Sequence, residues 1–304
     1  MKHIHFAVSL GVFLFLAAGP HMAVSQSLHP APAQKQVAVP EISRGIDRQL
    51  HVPVGPPSAT IAAWVLEPAK GTVVRGTVLF LHGFMTNHLQ VQNAGEALRR
   101  VGYRAVLVDL RGFGESTDET PKNVPHYTFG KRDANDMKQL TDFLQHHGLC
   151  GETVGVYGTS YGAAAAILFA AIDPRVSAAV AVAPFATIRD EVPSFSRMVL
   201  GSMGNMLNDS ALNKLANVVS DVAAFDLDGA KPLDAIVNAR GHILLIHGDA
   251  DTIVPHAASE ELHDAAPEKS ELLTIPHQGH LDLCFDPTGL LREPTEKWFE
   301  RFLP

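Results

Sequence analysis

The chain has only two cysteines, Cys150 and Cys284, among 304 residues. That is too few for a disulfide framework to be the source of its stability. Positive charge is also scarce. Lysine and arginine number 24 against 32 aspartates and glutamates, a formal net charge of -8. Nucleic-acid partners call for a basic face, and this composition argues against one. The chain also lacks a 20-residue apolar run of the kind that spans a bilayer as a helix. It is well supplied with core-forming residues, since 46% are hydrophobic. The length suits one large α/β domain or two small ones.

The longest apolar run is at the amino terminus. Lys2 and His3 precede Phe6 to Ala18, followed by Gly19, Pro20 and a small-x-small pattern at Ala23 and Ser25. This predicts a secretory signal peptide over residues 1–25, with an uncleaved anchor as the alternative. No cysteine lies near the cleavage point, so a lipid-anchored product is not indicated. Residues 26–43 are rich in Ala, Pro, Gln and Ser without periodicity and read as a linker. The expected product is a domain over 44–304, exported to the periplasm or secreted, with no stable membrane span after signal cleavage. Oligomeric state is not encoded in any pattern recognised in the sequence.

From Arg48 onward, apolar runs of strand length alternate with helical periodicity. Strands are expected at Arg48–Val54, Ile61–Glu67, Gly76–Leu81, Tyr103–Leu110, Thr153–Tyr157, Val176–Val182, His242–His247 and Glu271–Ile275. Helices are expected at His88–Val101, Lys131–His146, Tyr161–Ala171, Ala257–Ala265 and Pro294–Phe302. The alternation predicts an α/β fold: a mostly parallel eight-stranded sheet flanked by helices, with the first two strands antiparallel across a Gly-Pro-Pro turn. Residues 186–238 interrupt it with short apolar helical pieces, at Met198–Leu207 and Leu212–Val222. They are expected to form a small helical lid over the carboxyl ends of the strands, where ligands bind in such sheets.

Gly158-Thr159-Ser160-Tyr161-Gly162 fits G-x-S-x-G. The pattern is weak alone, but here it follows a predicted strand and opens a predicted helix, the setting the motif requires. Glycines at 158 and 162 and the alanines at 163–166 would relieve crowding around a tight turn that lifts the Ser160 hydroxyl above the sheet. A serine needs a base. His280, after the last strand, is preferred to its neighbour His277, because Gly279 would allow a sharp turn directing the side chain inward. The base needs an acid. Asp251 is preferred to Asp249, which is expected to tie the loop through backbone hydrogen bonds. An oxyanion hole needs two backbone donors, each worth roughly 3 kcal/mol. Tyr161, just after the nucleophile, and Phe84, in the loop after Gly76–Leu81, are the expected donors.

The segments LFLHGF at 79–84, DLRGFGES at 109–116, GTSYG at 158–162, HGDADTIVP at 247–255 and GH at 279–280 together resemble the α/β-hydrolase superfamily. Within it, the chain is similar to the serine aminopeptidase-like and lysophospholipase-like branch. The resemblance implies a Ser160–Asp251–His280 triad, no metal and no organic cofactor. It implies a small-molecule ester or peptide as partner, with a carboxylic ester as the first expectation. Serine peptidase and thioesterase are the alternatives, and a non-catalytic binding protein on the same fold is a third. Arg111 and its neighbouring glycines are expected to shape a turn at the rim of the site, with direct substrate contact by Arg111 as the alternative. Cys150 and Cys284 are expected at opposite ends of the sheet, hence unpaired.

Overall fold

Strands whose residues are buried throughout must lie inside the sheet, between helical layers. The computed structural model describes residues 47–121, 124, 127–223 and 226–303. The expected signal peptide and linker lie outside the described residues. β3 (Thr77–Leu81) and β5 (Val154–Thr159) are buried at every position, and β4 (Arg104–Val108) at all but its first. They occupy the sheet centre, as continuous apolar runs should. β1 (Arg48–Val54) and β8 (Ser270–Ile275) mix exposed and buried residues and form the two edges. β2 (Ala59–Leu66), β6 (Val176–Val182) and β7 (His242–Gly248) complete the order β1-β2-β4-β3-β5-β6-β7-β8. β2 pairs antiparallel with both β1 and β4, and every later pairing is parallel.

Each face of the sheet carries its own core. On one face Met137, Leu140 and Leu144 of α2 (Lys131–His146) meet the alanine-rich α3 (Tyr161–Ile172). On the other, Leu98 of α1 (Gln92–Arg100) and Trp298 and Phe299 of α10 (Arg292–Phe302) cover the sheet. Fully burying an aliphatic or phenyl side chain contributes about 1.5–3 kcal/mol, so these stripes drive helix docking. The expected helix at His88–Val101 begins as a 3-10 turn over His88–Val91, because Asn87 caps it by accepting from the Leu89 amide.

The segment between β6 and β7 departs from expectation in its boundaries. Its helices are α4 (Ile188–Leu200), α5 (Ser202–Asn205), α6 (Asp209–Ala223) and α7 (Pro232–Ile236). The single helix expected over Met198–Leu207 is broken at Gly201, where φ is +56°. α4 begins ten residues earlier, at a Thr187 cap that accepts from the Asp190 amide. Pro193 stands inside α4 and obscures it, since proline ordinarily ends a helix. α9 (His280–Phe285) was not foreseen, and α8 (Ala257–Ala265) falls where periodicity placed it.

Cys150 precedes β5 and Cys284 lies beyond β8, and both are free thiols. No helix among the described residues is long and apolar enough to cross a membrane.

Candidate active site

Four loops leave the carboxyl ends of β3, β5, β7 and β8, and each brings one piece of chemistry to a shared cleft. Ser160 stands between β5 and α3 with φ 51° and ψ −113°. A side chain is rarely held there, and the strain has a visible cause. A Cβ on Gly158 would lie 2.2 Å from the Gly162 carbonyl oxygen, and one on Gly162 2.4 Å from the Leu81 carbonyl oxygen. Glycine at both positions lets strand and helix close on each other, and the turn projects the serine upward. The Ser160 amide donates to the Val182 carbonyl at 2.8 Å, anchoring the turn to β6.

His280 opens α9. Its Nε2 lies 2.9 Å from Ser160 Oγ and its Nδ1 2.7 Å from Asp251 Oδ2. The other oxygen of Asp251 accepts from the amides of Ile253 and Val254, each at 2.9 Å. The structure thus brings Ser160, His280 and Asp251 into one hydrogen-bonded line. His277 and Asp249 are elsewhere: Asp249 Oδ1 accepts from the His277 amide at 2.6 Å and ties the loop. The sharp turn falls at His277, with φ +60°, rather than at Gly279. Gly279 is extended and caps α9, its amide donating to Asp282 Oδ2 at 2.9 Å. His280 is therefore aimed by a helix start, not by a glycine turn.

The electrostatics separate the two partners. Burial opposes the Asp251 carboxylate, but hydrogen bonds from His247 and His280 outweigh it and hold Asp251 well below the usual carboxylate range. Burial likewise opposes the His280 imidazolium. Asp251, and Cys284 one turn along α9, favour it more strongly and raise His280 above the ordinary imidazole range. The line is built to stabilise a proton arriving on His280.

The loop after β3 is held from beneath. His82 is buried, and its Nε2 accepts from the Leu110 amide at 3.0 Å. Its Nδ1 must then carry the proton, facing the Gly83 carbonyl at 2.7 Å. Burial lowers its pKa to about 4, so it is a neutral structural histidine. Gln90 Oε1 accepts from the Gly83 amide at 2.6 Å and from Thr86 Oγ1 at 2.7 Å. The Phe84 ring packs within 5.8 Å of Phe113, Tyr127 and Tyr161. Tyr161 is fixed in turn by its hydroxyl, which donates to Asp133 Oδ2 at 2.6 Å. As the first residue of α3, its amide has no intrahelical acceptor. Phe84, Ser160 and Tyr161 share the wall of one cavity of about 150 Å³.

Arg111 does not reach that cavity. It is buried, paired with Asp136 through Nε at 2.8 Å and Nη2 at 2.7 Å, and donates to the Pro57 carbonyl at 2.9 Å. It shapes the rim loop. Asp109 has a similar structural duty, and a Cβ on Gly114 would fall 1.8 Å from its Oδ2.

One site residue escaped the sequence reading, and a second was not singled out. His247, at the end of β7, is fully buried with Nε2 3.2 Å from Asp251 Oδ2. Its only signal is a polar residue ending a buried strand. Glu191 of α4 lines the Ser160 cavity. The sequence offers it, with Asp190 and Asp209, only as an acidic group that a peptidase could use to hold a substrate amine. Its sharper signal is a charge on the helix face set by Ile188 and Val192. A second cavity of about 330 Å³ lies between α1, α9 and α10, lined by Asn93, Glu96, Cys284, Asp286, Arg292 and Thr295 among others, and excludes Ser160. No group of three or more His, Cys, Asp or Glu among the described residues is placed to hold a metal ion.

The sheet order and the strained serine between strand and helix define an α/β-hydrolase. The family model described as serine aminopeptidase, S33, matches residues 72–233, over half of the chain, and the chain belongs to that family. It is similar to the AB hydrolase superfamily protein YisY of Bacillus subtilis (strain 168), at 26% identity over 240 residues, 67% of this chain and 84% of that protein. Its fold matches the Pyrococcus furiosus esterase Pf2001 with TM-score 0.64 at 16% identity, over 84% of this chain and 93% of that one. Est1E of Butyrivibrio proteoclasticus, solved with ferulic acid bound, matches with TM-score 0.61 at 17% identity, over 82% and 98% of the respective chains.

Proposed function

We propose that the chain is an exported serine hydrolase that cleaves carboxylic esters through an acyl-enzyme. The observation that carries the reading is the line from Ser160 Oγ through His280 to Asp251, at 2.9 and 2.7 Å. His280 Nε2 takes the Ser160 proton as Oγ attacks the ester carbonyl. The amides of Phe84 and Tyr161 receive the developing oxyanion. The tetrahedral intermediate collapses, His280 returns the proton to the leaving alkoxide, and an acyl-serine remains. His280 then activates water for the second half. Asp251 holds the Nδ1–H tautomer throughout.

Ester chemistry is supported by the apolar cavity wall beside Ser160, which suits an uncharged acyl or alcohol group. The fold neighbour Pf2001 is named as an esterase, which agrees with it. The rival reading is a peptidase, favoured by the family description and by Glu191 beside Ser160. Export rests on residues 1–25, and the amino-terminal mass of protein recovered outside the cytoplasm tests it.

The first experiment is labelling by a fluorophosphonate probe. Wild type is expected to label, Ser160→Ala not at all, and His280→Ala weakly. A folded wild type that does not label sinks the proposal, and labelling that survives Ser160→Ala shows a different nucleophile. Turnover of p-nitrophenyl esters against aminoacyl-nitroanilides then separates esterase from peptidase.

A further inference from the structure

The cavity beside Ser160 is mostly apolar and carries one ionisable carboxyl. Phe185, Ile188, Val192, Leu227 and Ile253 contribute to its wall, and Glu191 stands among them. Besides Glu191, its polar side chains are the hydroxyls of Ser160, Ser196 and Tyr161. The last is committed to Asp133. Glu191 is 6% exposed, and its Oε2 is buried without a hydrogen-bond partner. A buried carboxyl oxygen left unmatched in this way calls for an explanation, and a bound group is one.

We propose that Glu191 selects ester substrates whose chain on the lid side of Ser160 carries a neutral hydrogen-bonding oxygen, an ether, carbonyl or hydroxyl, in an otherwise apolar body. The inference rests on the ester-hydrolase reading of the same site.

The charges around Glu191 decide which form of the carboxyl meets the substrate. Asp190 precedes it on α4, Asp251 faces it from the loop after β7, Glu261 from α8, and His280 from α9. The three carboxyl neighbours oppose a further negative charge, and His280 alone favours it. Burial is the larger influence, and together they raise Glu191 to about 8. Near neutral pH the group is a carboxylic acid. It offers one O–H donor to an acceptor in the substrate and one carbonyl oxygen to a hydroxyl. An alkyl chain filling the cavity leaves the buried Oε2 unmatched. A chain with an oxygen at the right carbon satisfies it, and sites that hydrogen-bond a substrate oxygen discriminate strongly against analogues lacking that oxygen.

The test compares p-nitrophenyl hexanoate with the same ester carrying an ether oxygen in place of one chain methylene, at each position in turn beyond the one next to the carbonyl. Wild type at pH 7 is expected to favour one oxa-ester by roughly tenfold in kcat/KM. Glu191→Leu should bring that ratio to about one or below, while Glu191→Gln, still a neutral donor, keeps a several-fold preference. The wild-type ratio should fall as pH rises through 8, and the glutamine variant's should not. A separate aliquot of each preparation is labelled at Ser160 with the fluorophosphonate. Wild type that fails to label and turns over no ester overturns the ester-hydrolase reading itself. Labelling with no oxa-ester preferred in wild type, or with a ratio that Glu191→Leu leaves unchanged, overturns the Glu191 proposal alone. A preference for an aminoacyl ester at pH 7 that exceeds that for any oxa-ester and is lost in Glu191→Gln overturns it in favour of amine binding by the carboxylate.

Discussion

His247 Nε2 lies 3.2 Å from Asp251 Oδ2, the same carboxylate oxygen that His280 Nδ1 meets at 2.7 Å. His247 Nε2 also lies 3.0 Å from the Val254 carbonyl, while its Nδ1 is 2.6 Å from Ser259 Oγ. Nε2 faces two acceptors and so carries the proton, which leaves Nδ1 to accept from the Ser259 hydroxyl. Asp251 is thus held from behind by one imidazole while it holds another in front. His247→Ala should remove a donor that keeps Asp251 ionised and frees the loop around it. Ester turnover is expected to fall roughly tenfold, about 1.4 kcal/mol of transition-state stabilisation. Steady-state kinetics check this, with melting temperature measured alongside to separate unfolding from misplacement.

The pH profile reports on Asp251. His280 must be neutral to accept the Ser160 proton, so activity is lost as pH falls through its pKa. Asp251 and Cys284 outweigh burial and raise that pKa above the ordinary 6.5. The acid limb of kcat/KM should therefore lie above pH 6.5. In Asp251→Asn the carboxylate is gone and burial is opposed less, so the limb moves to lower pH. The amide also no longer selects the Nδ1–H tautomer, and kcat drops by about 10³–10⁴. An acid limb that does not move would detach Asp251 from His280.

Glu191 gives a pH dependence of stability with the opposite origin. Its pKa is raised in the folded protein, chiefly by burial and then by Asp190 and Asp251. The folded state therefore holds this proton more tightly than the unfolded chain does. Its stabilising effect is complete below the unfolded value near 4.5 and is lost progressively as pH rises towards 8. Melting temperature should fall between pH 5 and 8 more steeply in wild type than in Glu191→Gln. Parallel curves for the two proteins would contradict this.

Much of the sheet was legible because buried parallel strands are written as apolar runs. LFL at 79–81 and VLV at 106–108 need no partner to be recognised. The serine elbow was legible because its glycines answer a steric demand that is local in sequence. His280 was named for its place after the last strand, although the reason given, a turn at Gly279, was not the one found. What stayed hidden depends on long-range approach. Glu191 enters the cavity only because α4 folds back over the carboxyl ends of the strands. α4 itself was masked by Pro193. His247 becomes a partner of Asp251 only when the loop after β7 curls back on its own strand.

Steric demand at the elbow is testable glycine by glycine. Gly158→Ala and Gly162→Ala each force a methyl onto backbone atoms, at 2.2 and 2.4 Å. Backbone at the sheet centre cannot yield as a side-chain tip can. Each variant should lose 3 kcal/mol or more, on the order of a severe core overpacking. Gly151→Ala is the control, since nothing lies within 4 Å of its added Cβ. It should unfold in urea within about 0.5 kcal/mol of wild type.

Arg111 and Asp136 form a buried pair, with side-chain exposures of 3% and 2%. Arg111→Met leaves the Asp136 carboxyl without its guanidinium and the Pro57 carbonyl without a donor. The expected loss is about 3–5 kcal/mol, most of it the penalty of an uncompensated buried group. Asp136→Leu in the same background removes that group, and the double variant should recover part of the loss, read as a non-additive cycle in urea denaturation. Direct substrate contact by Arg111 predicts another outcome: normal stability in Arg111→Met and a higher KM. The guanidinium is engaged by Asp136, Asp118 and the carbonyls of Pro57 and Ser58. The side chain is buried and off the wall of the Ser160 cavity, so the stability cycle, not KM, is where its effect should be found.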